Sequence, residues 1–351
     1  MSTINAAQAI NQALRLAMEQ DPAVICYGLG VDDPKTIFGT TAGLQQQFGP
    51  QRVFDMPTSE NAMTGIGVGA ALGGLRPVMC HQRLDFFLLA MDQLVNNAAK
   101  WRYTFGAQHR VPFTLRLILG RGWGQGPTHS QNLQAWFAHV PGLKVVMPAS
   151  AADAKGLLLS AIFDDDPVVF LEHRWVHPAT DEVPKGDVRV PIGKAKTVME
   201  GDAITIVAMS YLVAEARHAC QALAQAGVHC DLIDLRSIKP LDMPALERSL
   251  AKTGRLLVLD TGATTGSVAG EIIARLSISH WSSFRCPPRR LCAPDCPEPT
   301  SYGLSKAFYT EAADIITAVG DMLGLATLPL DALPPARPHH DVPGDWFTGP
   351  F

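Results

Sequence analysis

The sequence predicts a doubly wound α/β architecture with a parallel sheet, followed by a second α/β domain. Three observations point there. Short apolar runs recur roughly 30 residues apart, helical patterns fill the gaps between them, and the rhythm restarts after a stretch rich in proline and glycine. A length of 351 residues suits two domains. Thr3 can cap an opening helix in which Ile4, Ala7, Leu14 and Met18 recur near helical spacing. Strands are expected at 23–28, 52–56, 76–80, 113–119, 144–147 and 167–172, with helices near 61–73, 87–103, 130–139 and 152–162. Residues 1–183 make the first domain on this reading. Pro184, Gly186, Pro191, Gly193 and Gly201 mark 184–202 as a linker. A second alternation of strands (204–210, 229–235, 256–260) and helices (212–226, 244–253, 267–277) makes a domain over 203–324. The last stretch, 325–351, carries six prolines and is expected to be an extended tail, with Trp346, Phe347 and Phe351 packing on the body or on a partner.

Composition excludes several function classes. Hydrophobic residues make up 47% and charged residues 18%, and 29 Lys+Arg against 33 Asp+Glu give a net charge of −4 with no long run of either sign. Neither a nucleic-acid surface nor a polybasic membrane anchor has its electrostatic footprint here. No apolar run approaches the ~20 residues of a membrane helix, and the N-terminal stretch lacks the pattern of a signal peptide. Seven cysteines in a chain this long do not make a disulfide scaffold. A reducing, cytoplasmic setting fits.

Four stretches can carry chemistry. Asp55-Met56-Pro57-Thr58-Ser59-Glu60 joins a strand end to a helix start, where ligands of open parallel sheets gather. Glu60 can act on a ligand there, or Ser59 can cap the helix while Glu60 complements its dipole. In the next helix, the glycines of Gly65–Gly74 lie inside a helical pattern, which favours close helix packing over a dinucleotide fingerprint. Gly120–Ser130 follows a strand, holds four glycines, lacks a phosphate-loop Gly-Lys-Ser/Thr, and ends at His129 beside a helix capped by Thr128 or Ser130. His129 is then either an acid, base or hydrogen-bond donor, or a plain loop residue. His81-Gln82-Arg83-Leu84-Asp85-Phe86 is a polar run at another strand end, a solvated turn or a pocket wall. The spacings of Cys286, Cys292 and Cys296 do not match paired zinc ligands, and His173 with His177 makes a weak metal pair.

These residues resemble a family, the β subunit of the first component of 2-oxo acid dehydrogenases, pyruvate dehydrogenase type. The wording runs from about residue 1 to 324 and includes FGPQRVFDMPTSEN, GIGVGAALGGLRPV, AMDQLVNNAAKWRY, PTHSQNLQAWFAHVPGLKVVMP, DAKGLLLSAI, DPVVFLEH and IDLRSIKPLD. The resemblance implies a pyrimidine-binding domain followed by a transketolase C-terminal-like domain. It also implies thiamine diphosphate with magnesium, the pyrophosphate half being held by an α subunit through a Gly-Asp-Gly motif that this chain lacks. An α2β2 assembly follows. By the same resemblance Glu60 meets the aminopyrimidine ring, Phe86 packs against it, and His129 faces the reacting end. Phe113, Ala161, Asp164 and Asp166 match a potassium site of some members.

Two departures bear on function. Gly28-Leu29-Gly30 stands where the family usually has Gly-Glu-Asp or Gly-Glu-Glu, which removes an acid from the path between paired cofactors. His81 and Arg83 stand where the family has apolar or small residues, and an arginine suits a carboxylate, phosphate or sugar hydroxyl. The expected function is therefore decarboxylation of a 2-oxo acid, pyruvate first among them, with transfer of the two-carbon fragment to a ketone such as a keto-sugar. The alternatives are acylation of a lipoyl domain and a non-catalytic structural or regulatory role.

Overall fold

The computed structural model describes residues 1–33, 38–121, 124–335 and 341–342. Trp346, Phe347 and Phe351 lie outside the described residues. The strands are β1 (Ser2–Asn5), β2 (Val24–Gly28), β3 (Val53–Asp55), β4 (Arg76–His81), β5 (Thr114–Leu119), β6 (Lys144–Val146), β7 (Val168–His173), β8 (Thr180–Val183), β9 (Lys196–Met199), β10 (Ile204–Ala208), β11 (Cys230–Asp234), β12 (Ser237–Lys239), β13 (Leu256–Ala263) and β14 (Arg289–Ala293). They form a seven-stranded sheet in the order β12-β6-β7-β5-β4-β2-β3 and a five-stranded sheet in the order β14-β13-β10-β11-β9. The pairs from β6 through β3 are parallel. Strands buried on both faces, such as the apolar β7 and β10, are what a sheet with helices on each side requires.

Several local expectations change. The first residues form β1, paired antiparallel with β8, so the opening helix runs Ala6–Gln20 and its cap is Asn5, not Thr3. Asn5 Oδ1 accepts the Gln8 N–H while Gln8 returns the bond to the Asn5 backbone, a reciprocal cap that Thr3 is too early to make. The span expected as linker contains β9, which borders β11. The single helix expected near 87–103 is a relay of a short α-helix (Leu84–Phe87), a 3₁₀ turn (Leu88–Ala90), a π-helical stretch (Gln93–Ala98) and a final α-turn (Ala99–Thr104). The helix expected over 130–139 is shortened to Gln134–His139, and neither Thr128 nor Ser130 caps it.

Close approach explains two glycines. A Cβ on Gly67 would lie 2.1 Å from Tyr27 Oη and 2.8 Å from Phe113 Cε2. The helix Glu60–Leu72 thus packs flat on the sheet, and Tyr27 Oη donates to Met63 O at 2.9 Å. Gly28, at φ +156, would place a Cβ 2.0 Å from Cys80 O, so the end of β2 tolerates no side chain against β4. Register then sets Gly28 opposite both Asp55 and Cys80, and brings the carboxyl ends of β2, β3 and β4 to one edge.

Candidate active site

That shared edge gathers the polar runs singled out in the sequence. Asp55 ends β3 and its carboxylate accepts the N–H groups of Gly30 and Val31 at 2.7 and 2.6 Å, which folds the Gly28-Leu29-Gly30 turn over the sheet end. Leu29 packs partly into the core beneath. Glu60 is half-buried and opens the helix Glu60–Leu72, where free N–H groups favour an anion. Ser59 stands at the cap position but its side chain makes no capping bond, so capping does not account for this turn.

Phe86 and His129 come together across 43 positions of sequence in the Phe86–His129 pair, with ring centroids 5.3 Å apart and planes at 89°. Phe86 keeps 43% of its surface open, which is unusual for a phenylalanine with a packed core nearby. Asp85, its neighbour, is buried and accepts both the Gln131 backbone N–H (3.2 Å) and the Gln131 side-chain amide (2.8 Å). Those two bonds tie the Phe86 turn to the His129 loop. Thr128 Oγ1 lies 2.9 Å from His129 Nδ1, which fixes one ring nitrogen and leaves Nε2 for other contacts.

His81, the last residue of β4, is buried. Its Nδ1 lies 3.0 Å from the Arg83 carbonyl, and a carbonyl only accepts, so Nδ1 carries the proton. Burial pushes its imidazolium pKa down, against the opposing pull of the nearby Glu60 carboxylate. The neutral ring therefore presents Nε2 as a lone-pair acceptor, and no protein partner reaches it among the described residues. Arg83, two residues on, is folded into the protein and not into a solvated turn. It is buried, donates to Gln82 O at 2.8 Å, and lies 5.9 Å from the Phe38 ring, with the Asp85 charge nearby.

Around the residues of the potassium expectation, Phe113, Ala161, Asp164 and Asp166, several oxygens have protein partners. Lys144 Nζ sits 2.7 Å from both Asp164 oxygens and 3.5 Å from Asp166, which also pairs with Arg102 at 2.8 Å. Arg76 Nη1 takes the Asp164 and Ile162 carbonyls at 3.0 and 3.3 Å. The Phe113 and Ala161 carbonyls accept Val168 and Asp164 N–H groups. Protein cations thus hold both carboxylates, while the carbonyls, each with two lone pairs, keep acceptor capacity for a cation. His173 and His177 also have structural partners: His173 Nδ1 accepts the Trp175 N–H, and His177 Nε2 lies 3.3 Å from Glu172.

Sequence reasoning missed three contributors to this edge. Asp85 was visible in its polar run but its bond to Gln131 was not. Arg174 follows β7 and donates to Arg121 O and Gly120 O at 2.9 and 3.3 Å, and to Gln125 Oε1. Gln134 reaches from the first domain to Asp260 Oδ1 (2.6 Å) and Thr261 Oγ1 (3.0 Å) in the second. Beside Gln131, a cavity of about 670 Å³ opens between the domains, lined by Trp136, Asp260, Cys296 and Glu298 among others.

The residues fit the aminopyrimidine half of thiamine diphosphate. A half-open aromatic ring and a carboxylate at a helix start are what a flat heteroaromatic group with a protonatable ring nitrogen needs. Among the described residues no cluster of three or more His, Cys, Asp or Glu could hold a metal ion, and no helix is long and apolar enough to cross a membrane.

The transketolase pyrimidine-binding domain model matches residues 2–178, and the transketolase C-terminal domain model matches 193–315. The pyruvate dehydrogenase E1 component subunit beta-1, mitochondrial, of Oryza sativa is 40% identical over 315 residues, covering 89% of this chain and 84% of that protein. The β subunit of the acetoin:2,6-dichlorophenolindophenol oxidoreductase of Cupriavidus necator is 37% identical over 320 residues, covering 88% of this chain and 94% of that one. A split-gene transketolase solved as an inactive β4 tetramer superposes with a TM-score of 0.75 at 21% identity, over 92% of this chain and 99% of that one, which speaks for the fold.

Proposed function

Because the chain belongs to the family of β subunits of 2-oxo acid dehydrogenase first components, pyruvate dehydrogenase type, we propose that it forms one half of a thiamine diphosphate site acting on a 2-oxo acid, pyruvate first among them. The observation that carries this reading is the Phe86–His129 ring pair, with Glu60 opening a helix at the same sheet edge, where its charge reaches His81. The α partner completes the site in an α2β2 assembly, since the pyrophosphate and its magnesium need a Gly-Asp-Gly motif that is absent here.

When bound, thiamine diphosphate supplies the electron sink that makes loss of CO2 from the acid feasible. Glu60 holds a proton at the ring nitrogen of the aminopyrimidine and so selects its tautomer. Phe86 offers the flat surface on which that ring rests. His129 donates from Nε2 toward the carbonyl oxygen of the reacting acid, with Nδ1 steadied by Thr128.

The acceptor is a ketone rather than a lipoyl domain. His81 favours this: its Nε2 is a buried acceptor without a protein donor among the described residues, suited to a hydroxyl on the incoming molecule. Arg83, whose carbonyl holds His81 Nδ1, and Arg174 carry positive charge close to one another. Acylation of a lipoyl domain is the second reading, favoured by the dehydrogenase relatives. The test is the chain co-produced with its α partner, given pyruvate and thiamine diphosphate, first with a lipoyl domain and then with hydroxylated ketones. A carbon–carbon adduct without lipoyl acylation is the expected result. Lipoyl acylation alone overturns the ketone reading, and no CO2 release from any 2-oxo acid overturns the whole.

A further inference from the structure

The loop that carries His129 is not held by its own domain alone. Gly120, Gly124 and Gly126 adopt φ of +128, +62 and +64, and a run with this many glycines loses much conformational entropy on ordering. Its order therefore has to come from contacts made by other segments. Thr300 supplies one: Cβ atoms on Gly124 and Gly126 would lie 2.8 Å from its carbonyl and 2.2 Å from its Oγ1. Arg121 supplies the second. Its guanidinium, 1% exposed, lies 4.0 Å from the Trp175 ring and 3.9 Å from the Tyr309 ring.

The third contact comes from the far end of the chain. Asp341, 3% exposed, accepts the Gly124 N–H on Oδ2 at 2.8 Å and places Oδ1 3.7 Å from Arg121 Nε. Glu311 also faces Arg121, at 3.9 Å, but is 41% exposed. One carboxylate thus meets both the loop backbone and the buried cation at the loop's base. Charge-assisted bonds of this kind are the strong ones.

We propose that Asp341 is a positioning residue that pins segment 124–130 and thereby sets the placement of His129. The proposal rests on the reading of His129 given above. Removing the carboxylate frees the Gly124 N–H and weakens the neutralisation of Arg121, so the loop samples more conformations without leaving the fold. The chemistry slows because the groups facing the substrate lose their fixed separation.

The test uses the enzyme assembled with its α partner, with Asp341→Ala, Asp341→Asn and Asp341→Glu. Amide hydrogen exchange over 124–130 and over the helix Ala312–Leu323 is followed beside kcat and KM for the 2-oxo acid. Asp341→Ala is expected to speed exchange in the loop about tenfold and to lower kcat about tenfold with KM little changed, while the helix stays protected. Asp341→Asn, the same shape without the charge, is expected to fall between, and it serves as the reading should the alanine variant not assemble. Partial rescue by Asp341→Glu supports the proposal. Unchanged loop exchange, or faster exchange with unchanged kcat, overturns it. If instead Glu60→Gln leaves turnover intact in the same assembly, the site reading fails, and the loop exchange still reports separately on the Asp341 contact.

Discussion

The two sheets end in different ways at their carboxyl edges. In the second domain, β13 delivers Asp260, whose oxygens are fully used: Oδ1 accepts from Gln134 and from the Gly262 N–H (2.9 Å), and Oδ2 from the Ala269 N–H at 3.0 Å. Burial raises its pKa while those bonds favour the charged form. In the first domain, the same edge presents a half-buried Glu60, a ring at Phe86 with nearly half its surface open, and a His81 acceptor with no protein partner among the described residues. A polar inventory that closes on itself holds a fold together. One left open by the protein has room for a ligand, and this asymmetry is what supports the site proposed at the first sheet.

The contrast can be broken in order of effect. Glu60→Gln is expected to lower turnover of the assembled enzyme by ~10²–10⁴ with little change in melting temperature. Full activity would instead favour a non-catalytic subunit. Glu172→Ala should do the reverse. It leaves Arg116, bonded to Glu172 at 2.7 Å in the core, without its anion. A cost of about 3–5 kcal/mol, read by denaturant unfolding, is expected for breaking a buried pair.

Asp260→Ala removes the acceptor of the Gly262 and Ala269 N–H groups and leaves the Gln134 amide with Thr261 Oγ1 as its oxygen partner. About 1–3 kcal/mol of stability should go for an unsatisfied buried group of this kind, with kcat kept in the folded fraction. The smallest effect is on pH dependence. Burial lowers the pKa of both His81 and His173, the latter helped by Arg174 and Arg121. The unfolded chain, with histidines near about 6.5, then binds protons first as pH falls. Stability should therefore decline below that value, earlier than carboxylates alone would cause, and His173→Asn should make the decline shallower in melting curves taken from pH 7.5 down to 5.5 (roughly, the titration window of histidine).

Much of the architecture was legible because it is local. The alternation of apolar runs and helical patterns is written in neighbouring residues, and so is the polar character of the strand ends that hold Glu60, His81 and His129. Contacts across distance were not. Asp341 and Gly124 are 217 positions apart and Gln134 and Asp260 are 126 apart, so nothing in the local pattern links them. The cations around the proposed potassium residues were hidden for a related reason: Lys144, Arg76 and Arg102 reach those oxygens from three other segments. The break near 87–103 also escaped notice, because its residues keep a helical pattern while the hydrogen-bond spacing changes from turn to turn.

The strand β12 has a consequence for biosynthesis. Ser237 and Lys239 belong to the second half of the sequence, yet they pair antiparallel with Val146 and Val145 and complete the border of the first sheet. While the ribosome has made only the first 183 residues, β6 stands as an uncovered edge able to pair with any other extended chain. The nascent first domain is thus exposed to wrong partners until some fifty further residues emerge. A gene divided in the proline- and glycine-rich segment would yield a leading fragment with that same open border.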